Sequence, residues 1–121
     1  MFRNYKSILD IPPEVFIELY NKHNLKPTNS FIEVRGDKCD GIGVVLYDMG
    51  IRSPDVNSWY TTAENAFGMD ISEIAHWGSG FDDALLGKPL FDSSEPYEKH
   101  GHSVGRAVRH LYVPAVVVVA E

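Results

Sequence analysis

Residues Asp70 to Pro89 carry both ends of one helix, and they constrain the fold more than any other stretch of the chain. Asp70-x-x-Glu73 is a capping box: the Asp side chain accepts from the amide three residues on, and the Glu side chain reaches back to the amide of the Asp. Ile71, Ile74, Trp77 or Gly78, Phe81 and Leu85 then recur at helical spacing on one side, and Gly87 with Pro89 beyond it ends the run.

Similar signals punctuate the rest of the chain. Ile11-Pro12-Pro13-Glu14 opens a helix, because proline suits the first helical position and an early Glu suits the dipole. Val15, Phe16, Leu19, Tyr20 and His23 share its apolar face, and Asn24 and Pro27 stop it. Thr61-x-x-Glu64 reads as a second capping box. Pro96 begins a last helix whose apolar face is Tyr97, Gly101, Val104, Val108 and Leu111. Its Gly101-His-Ser-Val-Gly105 spacing lets another backbone approach closely. Asp37 to Met49 is ambiguous and is read as a helix with Cys39, Ile42, Leu46 and Met49 on one face. Gly41 and Gly43 each cost that helix about 1 kcal/mol relative to Ala, so a close crossing should compensate. Gly50 then falls where a helix C-cap needs positive φ. Phe31 to Val34 fits a short strand, although Ser30 with Glu33 also fits a capping box, and the β-branched Val113 to Ala120 is its only plausible partner.

The chain of 121 residues is therefore expected to be one globular helical domain over 1–121: a compact, mostly α bundle of about five helices with at most a two-stranded β element around Phe31–Val34 and Val113–Ala120. An apolar content of 44% and a charged content of 23% suit a folded globule that buries roughly two-thirds of its unfolded surface. The longest apolar run, Val113 to Ala120, is too short to span a bilayer, the first residues lack the apolar core of a signal peptide, and the single Cys39 suits a reducing compartment. These features point to the cytoplasm. A net charge of −6 argues against a generic nucleic-acid binder, whose affinity comes from Lys and Arg displacing counterions, and is compatible with docking onto a basic surface.

The stretch Thr61 to Gly80 resembles a helix-turn-helix: a first helix to Phe67, Gly68 at the turn, and Ile74 and Trp77 where a second helix packs on the first. That resemblance implies DNA reading by the second helix. The chemistry departs from it, with Glu64 at the crossing, Asp70, Ser72 and Glu73 in the first turn, and no Lys or Arg before Lys88. The segments "CDGIGVVLYDMG", "AFGMDISEI", "GFDDALLGK" and "HSVGRAVR" together resemble small helical proteins of bacteria and their phages, which implies an α-rich fold and no particular activity.

Candidate chemistry gathers in the last helix, where His100, His102, Arg106, Arg109 and His110 lie close in sequence. Residues three and four apart are neighbours, so His102, Arg106 and Arg109 (or His110) form a basic stripe opposite the apolar face. The histidines lack the i, i+4 pairing of a zinc site, so no metal or cofactor is expected, and the stripe should pair with Asp82 and Asp83 or meet an anion or an acidic partner. Asp82 and Asp83 diverge by about 100° and cannot easily share a proton. Trp59 and Tyr60, following a polar loop, are candidate anchors for a protein partner. The sequence thus points to a non-enzymatic accessory or regulatory factor that binds another protein through Trp59, Tyr60, Asp82, Asp83, His102, Arg106 and Arg109, with a DNA-binding regulator and a small metal- or anion-dependent enzyme as alternatives. An inhibitor of a host nucleic-acid machine would fit the acidic charge.

Overall fold

The computed structural model describes residues 7–29, 32–56 and 58–114. Among these, five α-helices and one two-stranded parallel sheet enclose a continuous apolar core: α1 (Pro13–His23), β1 (Lys26–Pro27), β2 (Lys38–Cys39), α2 (Gly41–Asp48), α3 (Trp59–Phe67), α4 (Ile71–Leu85) and α5 (Pro96–Val108). Short 3-10 turns stand at Ile8–Asp10 and Arg109–Leu111.

The α4–α5 pair organises the molecule. The Asp70 carboxylate accepts from the Glu73 amide at 2.8 Å and the Glu73 carboxylate from the Asp70 amide at 2.9 Å, which completes the capping box that opens α4. Ile74, Trp77, Phe81, Ala84 and Leu85 are buried, while Ile71, placed on the apolar side by its spacing, is 60% exposed in the first turn. On α5, Gly101 meets the Trp77 carbonyl and Gly105 meets Phe81 and Ala84; a Cβ at Gly101 would stand 2.1 Å from that carbonyl oxygen. Gly80 makes the reciprocal approach to Glu98. Contacts advance together from Trp77–Gly101 to Gly87–Arg109, so the helices run side by side in the same sense. The 86–95 connection must therefore return along α4, and buried Glu98 fixes its far end by accepting from the Asp92 amide at 2.7 Å.

Trp77, fully buried, stacks on Phe81 and packs against Phe16 of α1. Its indole N–H donates to His100 Nδ1 at 2.8 Å, and His100 Nε2 donates to the Ile11 carbonyl at 2.8 Å. Both ring nitrogens are thereby used in the neutral form, and burial holds the imidazole below its ordinary pKa. His100, half-buried, thus ties α5 to the entry of α1.

The remaining elements sharpen or correct the sequence reading. Pro13 stands at the first position of α1, and Asn24 ends the helix in the left-handed region with φ 54°. The two-stranded sheet exists, but Lys26–Pro27 pairs with Lys38–Cys39, and residues 32–34 form no strand. Instead the Ile32 carbonyl crosses against Gly43, where a Cβ would be 1.8 Å away, so this segment is folded over α2 and cannot extend along a partner. Phe31 and 115–120 lie outside the described residues. Val113 donates its amide to the Pro27 carbonyl at 3.0 Å, so the chain leaving α5 runs beside β1.

The expected 37–49 helix is shorter, because Lys38 and Cys39 join the sheet and Asp40 caps α2 by accepting from the Gly43 amide at 2.8 Å. The close crossing required by its glycines is present: a Cβ at Gly41 would stand 2.4 Å from the Trp77 ring. Helix α3 begins at Trp59, capped by the Ser58 hydroxyl accepting from the Thr61 amide at 3.2 Å, so the Thr61–Glu64 capping box does not form. Thr61 sits inside the first turn, and the next residue, Thr62, instead bonds back to the Ser58 carbonyl at 2.9 Å. No described helix is long and apolar enough to cross a membrane.

Candidate functional site

Two concavities collect the side chains with chemistry, and each combines residues from more than one element. The first, about 240 Å³, lies between α2, α3 and α4 and is walled by Ile32, Ile42 and Ile74, with Tyr60, Asp40 and Asp82 as its polar members. Asp40 is only 7% exposed because it caps α2 from within the fold. Burial pushes its carboxyl up to about 8; the backbone amides of Gly43 and Ile42 pull down, and the nearby Asp82 and Glu33 push up. Near neutral pH Asp40 therefore keeps its proton. Tyr60, 51% exposed, stands at its rim in the first turn of α3.

Trp59 and Tyr60, adjacent on α3, part company. Trp59 is half-buried against the core and faces a separate concavity of about 200 Å³ with Tyr47 and Arg52, whose guanidinium lies 3.5 Å from the Tyr47 ring centre. Asp82 and Asp83 likewise separate: Asp82 turns to Asp40, and Asp83 does not line that concavity.

The second concavity, about 370 Å³, lies where α4 and α5 end together. His102, Arg106 and Arg109 share it, as their spacing predicts, and Lys88 joins them from the loop after α4. The His102 ring donates through Nε2 to the Lys88 carbonyl at 2.9 Å, and the Arg109 guanidinium lies over Gly87, whose φ of +77° turns the chain beneath it. The expected pairing of this stripe with Asp82 and Asp83 is absent from the ion pairs found among the described residues, which join Lys22 and His23 to Asp48, Arg35 to Glu33, and His76 to Glu98. His110 is exposed in the closing 3-10 turn and lies outside the concavity. No three His, Cys, Asp or Glu side chains converge as a metal site would need among the described residues. Cys39, fully buried in β2, has its thiol pKa pushed far up by burial and by Asp40.

No protein family, curated protein or solved structure matches this chain. The geometry of the helix-turn-helix segment bears on function directly. Gly68 does cap α3 in the left-handed region with φ 63°, and Ile74 and Trp77 are buried. Yet α4 spends its apolar face mainly on α5, and Asp70, Ser72 and Glu73 stand at its start.

Sequence reasoning missed Asp40, Lys88 and Glu98. The Asp40-Gly-Ile-Gly run did carry the signal of an N-cap, an Asp just before an apolar stretch.

Proposed function

We propose that this chain is a non-enzymatic accessory factor that binds another protein, seating a basic side chain of its partner in the Asp40–Asp82–Tyr60 concavity. The observation that carries this reading is Tyr60: a large aromatic side chain left half exposed at the rim of an apolar-walled concavity holding two carboxyls. An exposed Tyr beside carboxyls in an apolar-walled hollow is the composition of an interface anchor. A Lys or Arg entering there would lay its stem on Ile42 and Ile74, meet Asp82 with its charge, and lie within reach of the Tyr60 ring. The net charge of −6 favours approach to a basic partner surface, as an inhibitor covering a nucleic-acid-binding groove would need. DNA reading draws no comparable support, since the start of α4 offers a phosphate backbone two carboxylates.

Fluorescence anisotropy of a labelled arginine-rich peptide, titrated with protein at low and then rising salt, tests the reading. Asp82→Asn with Tyr60→Ala should weaken binding by roughly tenfold or more, the loss expected of an anchor residue. Equal binding by wild type and double variant would sink the proposal. A labelled mixed-sequence duplex serves as the second arm, and tight, steeply salt-dependent binding there would turn the assignment to a DNA-binding regulator.

A further inference from the structure

The second concavity carries an inference independent of the first. We propose that the concavity formed by Lys88, His102, Arg106 and Arg109 is a binding site for a phosphate-type oxyanion, either free or as a phosphoryl group on a larger molecule.

Three observations support this site. Arg106, Arg109 and Lys88 have no carboxylate within ion-pairing distance among the described residues, although the chain has 17 acidic residues against 11 Lys and Arg. An acidic protein that gathers cations in one hollow without neutralising them leaves a local positive field facing solvent.

The structural demand for positive charge there is also too small to account for them. Helices α4 and α5 both end beside the hollow, and two helix C-termini together present roughly one negative charge. Part of that is already met, because the amides of Leu86, Gly87 and Lys88 bond back to the Asp82, Ala84 and Asp83 carbonyls. Three permanent cations exceed what remains.

The third observation is that two of the side chains lining the hollow are held in place from below. His102 is anchored through Nε2 to the Lys88 carbonyl, which leaves Nδ1 as its other ring nitrogen, and the Arg109 guanidinium rests on Gly87. Arg106 stands one turn after His102 on α5, and Arg109 follows three residues later in the 3-10 turn that continues the helix, so the three side chains reach one hollow. Ala84 and Gly87 line the hollow with little side-chain bulk and leave it open.

The chemistry favours a phosphoryl group over a carboxylate. A guanidinium offers paired N–H donors that match two oxygens of one group, and two such forks suit a tetrahedral anion that has three oxygens to share and up to two charges. A single carboxylate would satisfy one fork and leave the other cations unmet. The site thus differs from the Asp82 concavity in the sign of the ligand it takes.

The test is titration of the whole protein with inorganic phosphate, with pyrophosphate, with a phosphoserine peptide and its unphosphorylated form, and with a hexaglutamate peptide, all at fixed ionic strength. Backbone amide NMR shifts report the site. Saturable binding of phosphate or pyrophosphate at millimolar concentration or below, with shifts centred on Gly87, Lys88 and the last turns of α5, is expected. A tighter phosphoserine peptide would identify the source as a phosphorylated partner, and equal affinity would identify a free anion; both support the site. Arg106→Gln should weaken binding roughly 10- to 100-fold, the loss of a charge-assisted hydrogen bond. Because Arg106 is exposed, folding should survive, and its circular dichroism spectrum checks that. Lys99→Gln, an exposed cation elsewhere on α5, should leave affinity unchanged. Absence of saturable phosphate and pyrophosphate binding, tighter binding of hexaglutamate, or an equal loss in Lys99→Gln would each overturn the proposal.

Discussion

The α4–α5 crossing makes a prediction in which two glycines on one helix, two residues apart, give opposite outcomes. A Cβ at Gly80 would lie 2.1 Å from the Glu98 carbonyl oxygen and 3.0 Å from the His102 amide nitrogen. Both neighbours are backbone, so no rotamer change relieves the clash, and α5 must move away by more than an ångström to restore contact. Overpacking of this kind costs about 1–3 kcal/mol. Replacing a helical Gly by Ala returns about 1 kcal/mol through helix propensity, and separation of the helices also disturbs the Trp77–His100 hydrogen bond, so Gly80→Ala should be destabilised by about 1–2 kcal/mol net. A Cβ at Gly78 meets nothing within 4 Å, so Gly78→Ala keeps only the propensity gain and should be stabilised by up to about 1 kcal/mol. Urea unfolding followed by Trp fluorescence and circular dichroism reads both, through the midpoint at unchanged slope. The midpoints should move in opposite directions. If both variants shift the same way by similar amounts, the close crossing is not what Gly80 is there for.

The remaining predictions concern caps and buried ionisable groups. Asp70→Ala removes the side-chain acceptor of the Glu73 amide, while the residue-70 amide can still donate to Glu73, and should cost about 1 kcal/mol, read as a lowered melting temperature. His100, with a folded pKa held below 6.5, is protonated more readily in the unfolded chain, so stability should fall as pH drops from 6.5 toward that lower value; His100→Gln should flatten this part of the stability–pH curve. Asp40 acts with the opposite sign: its raised folded pKa makes its contribution full below 3.8 and lost as pH climbs toward about 8. Asp40→Asn keeps an N-cap acceptor and should gain stability relative to wild type as pH rises across that window, whereas a wild-type profile unchanged by the substitution would refute the buried, protonated state. Cys39, fully buried, should resist a thiol reagent such as dithionitrobenzoate in the native protein and react on unfolding; rapid native labelling would contradict its place in β2.

What the sequence made legible follows from where the physics is local. The capping box at Asp70, the Pro13 and Pro96 starts, and the Asn24 stop are each decided by backbone groups within a few residues, and each appears where the pattern places it. The Gly101–Gly105 spacing also read correctly as close packing, because a missing Cβ has few other uses on a helix. Errors arose where two local signals competed. Thr61 and Ser58 are both good N-caps, and Ser58 prevails by opening α3 early enough for Thr62 to bond back to its carbonyl and accept the Asp55 amide. Cys39 fits the apolar spacing of α2, but its carbonyl accepts both the Tyr20 hydroxyl and the Thr28 amide, and those partners lie 19 and 11 residues away in sequence.

The candidate sites divide along the same line. His102 and Arg106 sit together because i, i+4 spacing on one helix is geometry a sequence contains, and Arg109 joins them from the 3-10 turn that continues α5. Lys88 was invisible as their neighbour, since it arrives by the parallel return of α5 along α4, a topology no local pattern encodes. Asp82 was assigned to the wrong partner for a reason that can be traced. Gly80 and Ala84 mark the side of α4 that faces α5, and Asp82, two residues from each, points about 200° round the helix from both. A carboxylate in that position cannot neutralise a stripe on α5 and is delivered to Asp40 at the start of α2. The glycine crossing therefore does more than close the core: by fixing which side of α4 meets α5, it separates the acidic hollow from the basic one.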